Sequence, residues 1–96
     1  MLSNILQRYK ISKTKFDSIQ DANGNSVLLM AVMTGDTKTL ELLINEGCNL
    51  NHQNFDGNTP LHFAVQGRYY KCVDLILNAG ADENIENKNG KNPWEL

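Results

Sequence analysis

Cysteine and proline are scarce, with two of each among 96 residues, and tryptophan occurs once. Cys48 and Cys72 form no C-x-x-C and stand at no metal-binding interval from His52 or His62. A protein this short that depends on disulfides carries more cysteines. Both are therefore read as reduced thiols, small buried hydrophobes in a cytosol-like compartment. Neither sign of charge predominates: nine Lys and Arg against eleven Asp and Glu give a net charge of -2. That balance offers no basic face for nucleic acid. Apolar runs are short, such as Val27–Val32, far below the roughly 18 residues of a membrane span. The opening MLSNILQRYK has no extended apolar stretch, so no signal peptide is expected. Hydrophobic residues at 41% lift the sequence out of the disordered class. The expectation is one small globular domain, soluble and cytoplasmic, with the nucleus also open to it and with no cofactor.

What the sequence does have is a period. Gly24, Gly57 and Gly90 recur every 33 residues, as do Gly47 and Gly80, Leu28 and Leu61, Ala31 and Ala64, Val32 and Val65, Asn51 and Asn84, and Pro60 and Pro93. So many coincidences at one interval mark a repeat architecture. Two full periods occupy residues 21–53 and 54–86, a third begins at Asn87 and stops at Leu96, and residues 1–20 precede the array.

Each period reads as turn, helix, turn, helix. Asn23-Gly24, Asp56-Gly57 and Asn89-Gly90 are dipeptides of the type I′ kind. Thr59 caps a first helix over Leu61–Gln66, with Pro60 at its start, where a missing N–H costs nothing. Ser26 and Asn92 hold the same cap position, and Leu28–Met33 is the matching helix. After a break at Gly35, a second helix spans Thr37–Asn45, with Leu40, Leu43 and Ile44 at core spacing; Val73, Ile76 and Leu77 take those places in the next period. Gly47 and Gly80 stand where a left-handed helix end is needed. A lone pair of helices cannot bury its apolar face; stacked copies can.

Asp56-Gly57-Asn58-Thr59-Pro60-Leu61-His62-Phe63-Ala64 and Gly80-Ala81-Asp82-Glu83-Asn84 resemble the ankyrin repeat. The resemblance covers residues 21–96, with period one divergent, Ser26-Val27-Leu28-Leu29 standing where Thr-Pro-Leu-His would be. It implies an all-α solenoid of stacked helix pairs with projecting turns, and a protein–protein interaction module of scaffolding or regulatory kind. It also implies a structural His62, its ring bonded to backbone between adjacent turns, and an Asn51 and Asn84 that tie each turn to its neighbour.

The departures give further expectations. Arg68 falls where Gly35 stands, so the first helix of period two is expected to end one residue early, at Gly67, sparing Arg68 a left-handed conformation that costs about 1 kcal/mol. Tyr70 matches Thr37 and is expected partly buried, with its hydroxyl at the edge. His52 is expected in solvent, and the abundance of asparagine suggests no mechanism. Residues 1–20 carry Arg8, Lys10, Lys13 and Lys15, and Leu2, Ile5, Leu6 and Tyr9 recur at helical spacing. Ser3–Ile11 is read as an amphipathic helix that either caps the stack or serves as a basic arm; Phe16 and Ile19 favour the cap. Leu75, Ile76 and Leu77 lie next to the truncated third period, where Trp94 covers part of the gap. A longer multidomain parent, an enzyme among the alternatives, in which this array targets or regulates another part, or self-association through that edge, would complete it.

No G-x-S-x-G, P-loop, acid–base pair or metal constellation occurs, so neither catalysis nor a metal is expected. A protein partner is expected at the turn tips and inner helix face: Asn23, Asn25 and Met33 in period one, Phe55, Asp56, Asn58 and Gln66 in period two, then Lys88 and Asn89. Phe55 is the expected anchor, as aromatics dominate interface hot spots; the competing reading has it folded over the neighbouring turn.

Overall fold

A computed structural model of the protein describes residues 18–96. Among the described residues, four α-helices are bounded, in order: α1 over Val27–Thr34, α2 over Thr37–Asn45, α3 over Pro60–Gln66 and α4 over Tyr70–Asn78. A short 3-10 helix, η1, closes the sequence at Pro93–Glu95. The expected Ser3–Ile11 helix and Phe16 lie outside the described residues.

Helix starts follow the cap residues. The Ser26 hydroxyl accepts from the Leu29 N–H at 3.2 Å, and the Asp36 carboxylate accepts from the Thr39 N–H at 3.2 Å and its hydroxyl at 2.7 Å. Thr59 accepts from the His62 N–H, and Asn92 accepts from the Trp94 N–H at 2.9 Å. Such caps satisfy backbone donors that the first turn leaves free. Helix α4 is the exception: Tyr69 stands where Asp36 caps α2, and its ring and hydroxyl make no capping bond.

Helix ends share one device. In α1, Gly35 donates to the Val32 carbonyl and Asp36 to that of Ala31. The same pair of hydrogen bonds recurs after α2, α3 and α4, turning the backbone through Gly47, Arg68 and Gly80, all at positive φ. Arg68 therefore does adopt the left-handed conformation, with φ 59, while Gly67 stays helical at φ -80. The helix does end one residue early, with Gly67 as its cap, as expected, but that does not spare Arg68. The glycine answers a different need: a Cβ there would lie 2.5 Å from the Tyr69 ring.

The core forms where the pairs stack. Helix α1 packs on α2 and α3, α4 on α3 and α2, and η1 on α3. Leu28, Leu29 and Val32 of α1, Leu40 and Leu43 of α2, Leu61 and Ala64 of α3, and Cys72, Val73 and Ile76 of α4 are buried. Ala31 and Ala64, both buried, let α1 and α3 come close. With neighbours on two sides, α1 is apolar almost all round, as a buried helix is. Ile76 is fully buried rather than facing the open end; Leu75 and Leu77 are half-buried. Both cysteines are buried, and neither is in a disulfide. Burial, and then the charge of Asp36, push the Cys72 thiol up, which suits a packing residue and not a nucleophile.

Candidate functional site

Three fingers project from the stack, and each is built alike. In the first, the Gly24 N–H donates to the Asp21 carbonyl and the Asp21 N–H to the Asn25 carbonyl. Asn54-Gly57-Asn58 and Asn87-Gly90-Lys91 repeat the pattern. Only the glycines have positive φ; Asn23, Asp56 and Asn89 do not. Each tip is thus a type I turn followed by a left-handed glycine, not the type I′ turn expected, which needs positive φ at both central residues.

The residue that starts each finger enforces this turn. Asp21 Oδ1 accepts from the N–H groups of Asn23 and Asn25, Asn54 Oδ1 from Asp56 and Asn58, and Asn87 Oδ1 from Asn89 and Lys91. The free amide then reaches back one finger. Asn54 Nδ2 donates to Asn25 Oδ1 at 2.9 Å, and Asn87 Nδ2 to Asn58 Oδ1 at 3.0 Å. Backbone bonds run alongside, from the Phe55 N–H to the Asn23 carbonyl and from the Lys88 N–H to the Asp56 carbonyl, both at 3.0 Å. These asparagines, whose abundance suggested no mechanism, are the rungs of a ladder. An aspartate can accept as they do but has no amide to donate onward.

Histidines and further amides add cross-links. His62 is fully buried; its Nδ1 accepts from the Thr59 N–H, so Nε2 carries the hydrogen and donates to the Lys91 carbonyl at 2.9 Å. That is the structural role the resemblance implies. His52, expected in solvent, is half-buried with Nε2 2.7 Å from the Gly24 carbonyl oxygen. Gln53 donates to the Gly57 and Glu86 carbonyls, and Asn51 accepts from the Asp82 N–H at 2.9 Å. Among the described residues no three His, Cys, Asp or Glu side chains gather as a metal site would require, and no buried side-chain nitrogen or oxygen lacks a partner.

The residues expected to meet a partner separate into groups. Asn23, Asp56, Lys88 and Asn89 are exposed on the finger tips. Asn25 is buried in the ladder, so its amide serves the fold rather than the surface, and Asn58 is half-buried for the same reason. Phe55 is 59% exposed. One edge of its ring nevertheless rests on the neighbouring finger, where a Cβ on Gly24 would lie 2.6 Å from Cδ1.

Met33 and Gln66, equivalent positions on α1 and α3, meet in an open groove of about 240 Å³ together with Phe63, Gly67 and Tyr69. Phe55 is not part of this groove, so the residues expected to meet a partner present two separate apolar features. Tyr69 shapes it. Its ring lies over Gly67 and also 3.2 Å from where a Cβ on Gly35 would be, and its hydroxyl donates to the Met33 carbonyl at 3.4 Å. Tyr70, expected to be the packed tyrosine, is 67% exposed, because it is Tyr69 that turns back across the helix ends. The signal for Tyr69 was present in the Gly67-Arg68 pair that breaks the repeat pattern. Trp94 and Leu96 are exposed at the far end, the indole N–H donating to Glu83 at 3.0 Å. Among the described residues no helix is long and apolar enough to cross a membrane.

The profile of a family described as ankyrin repeats (3 copies) matches residues 2–87. The match starts within the segment that precedes the two full periods. No curated protein matches this sequence.

Proposed function

We propose, from the premise that this protein belongs to the ankyrin repeat family, that its stack holds a protein partner through the finger tips and the exposed side of α1 and α3. Ankyrin repeats are protein–protein interaction modules in general. The observation that carries the reading here is the pair of apolar features left open along the fingers and the inner helices: Phe55 on its finger and the groove of Met33, Phe63 and Tyr69. Solvent-exposed aromatic and thioether groups beside Asp56, Gln66 and Lys88 give an apolar centre with a polar rim, the usual anatomy of an interface. The role is scaffolding or regulatory, without catalysis, in the cytoplasm. Photo-crosslinking tests the face used. A crosslinker placed at Phe55 or Gln66 should capture the partner, and one placed at Glu41 or Asp74, exposed on α2 and α4, should not. Capture from α2 and α4 alone would refute the reading.

A second reading rests on Trp94 and Leu96, both exposed at the far end, and on Leu75 and Leu77, half-buried on α4. These residues favour self-association through that end. Sedimentation showing a monomer at high concentration would exclude it.

A further inference from the structure

The three finger tips carry an Xaa-Gly bond at the same place, and the stack treats them unequally. The Asn23 carbonyl, part of the Asn23-Gly24 bond, accepts from Phe55, and Gly24 is buried beneath the Phe55 ring. The Asp56 carbonyl accepts from Lys88, and Gly57 is buried, a Cβ there meeting the Lys88 nitrogen at 2.8 Å. Among the described residues no backbone N–H reaches the Asn89 carbonyl, Gly90 is exposed, and nothing lies within 4 Å of where its Cβ would be.

We propose that Asn89 is a spontaneous deamidation site, and that the stack protects Asn23 from the same reaction. The reaction needs only water. The Gly90 nitrogen bonds to Cγ, the amide carbon of Asn89, and gives up its proton. The Cγ–Nδ2 bond breaks, and ammonia leaves with that proton. Water then opens the cyclic imide at either carbonyl, giving aspartate or isoaspartate. The attack requires the Asn89-Gly90 peptide to rotate. Finger three opposes that by the bond from the Gly90 N–H to the Asn87 carbonyl at 2.9 Å and by the other turn bonds of Asn87, a set that finger one also has through Asp21. Finger one must also release Phe55 from the Asn23 carbonyl and lift its ring from Gly24.

The products differ in consequence. Aspartate is what finger two already carries, since Asp56 occupies the equivalent position with the same turn bonds. The fold therefore accepts it, and the tip between Lys88 and Lys91 gains a negative charge. Isoaspartate lengthens the backbone by a carbon and cannot keep the turn bond of Gly90.

The test uses the full-length protein, held folded at mildly alkaline pH and sampled over time. Cleavage after glutamate separates residues 87–95 from residues 1–41, and tandem mass spectrometry with isoaspartyl methyltransferase labelling reads each site. Conversion at Asn89 should run about tenfold or more ahead of that at Asn23, the effect of one further hydrogen bond and a packed ring. In protein unfolded by urea the two rates should converge. Phe55→Ala should speed Asn23 and leave Asn89 unchanged, with circular dichroism confirming that the variant is folded; should it unfold, the urea comparison decides alone. Equal rates in the folded protein, a faster Asn23, or a gap that persists in urea would overturn the proposal.

Discussion

The ring of Tyr69 lies so close to Gly67 that a Cβ on the glycine would stand 2.5 Å from Cε2. Gly67 has helical backbone angles, where alanine ordinarily stabilises by about 0.5–1 kcal/mol. The contact reverses that sign. Gly67→Ala should destabilise by about 1–2 kcal/mol in urea unfolding, as overpacking does. Adding Tyr69→Ala should remove the penalty, so the double variant is no less stable than Tyr69→Ala alone. Stabilisation by Gly67→Ala in the presence of Tyr69 would contradict the packing described.

The same tyrosine leaves Arg68 to make the left-handed turn that Gly35, Gly47 and Gly80 make elsewhere. Arg68→Gly should therefore raise stability by about 1 kcal/mol, since any residue with a Cβ is disfavoured at positive φ and the exposed guanidinium lies outside the core. The melting temperature should rise, and an unchanged or lower value would show that Arg68 contributes a compensating contact.

How far the fold could be read in advance depended on whether a residue acts within its own repeat. Leu28, Leu40, Leu61 and Ile76 were legible as core because helical spacing alone decides which face is buried. Caps at Ser26, Thr59 and Asn92 were legible because their partners are three residues away or fewer. The ladder was not, since Asn54 and Asn25 are joined only after two fingers stack. For the same reason the positions of Tyr69 over Gly35, His52 on Gly24 and Met33 beside Gln66 emerge only from the assembled structure. Of the surface, Phe55 and the finger tips were visible as exposed turn residues, whereas Asn25 looked like a turn residue and proved buried.

Acid should weaken the stack through two aspartates. Bonds from Asn25 hold Asp21 below the ordinary aspartate value of 3.8, and bonds from Thr39 do the same for Asp36. A depressed folded-state value means that the stabilisation is present above 3.8 and disappears as the pH falls through the folded value. Asp36→Asn keeps a good cap but does not titrate. Its stability at neutral pH should stay near that of the parent, and its acid limb should be shallower. An unchanged acid limb would remove Asp36 from the account.

Phe55→Ala decides most directly whether the exposed finger is a binding feature or a cover for the neighbouring turn. The measurement is partner affinity beside thermal melting, on the full-length protein. Affinity should fall about tenfold or more, as for an interface anchor. Stability should change by no more than about 1 kcal/mol, because the ring is 59% exposed and touches the fold by one edge. Intact affinity, or a collapse of melting together with binding, would show that Phe55 serves the finger and that the partner sits elsewhere.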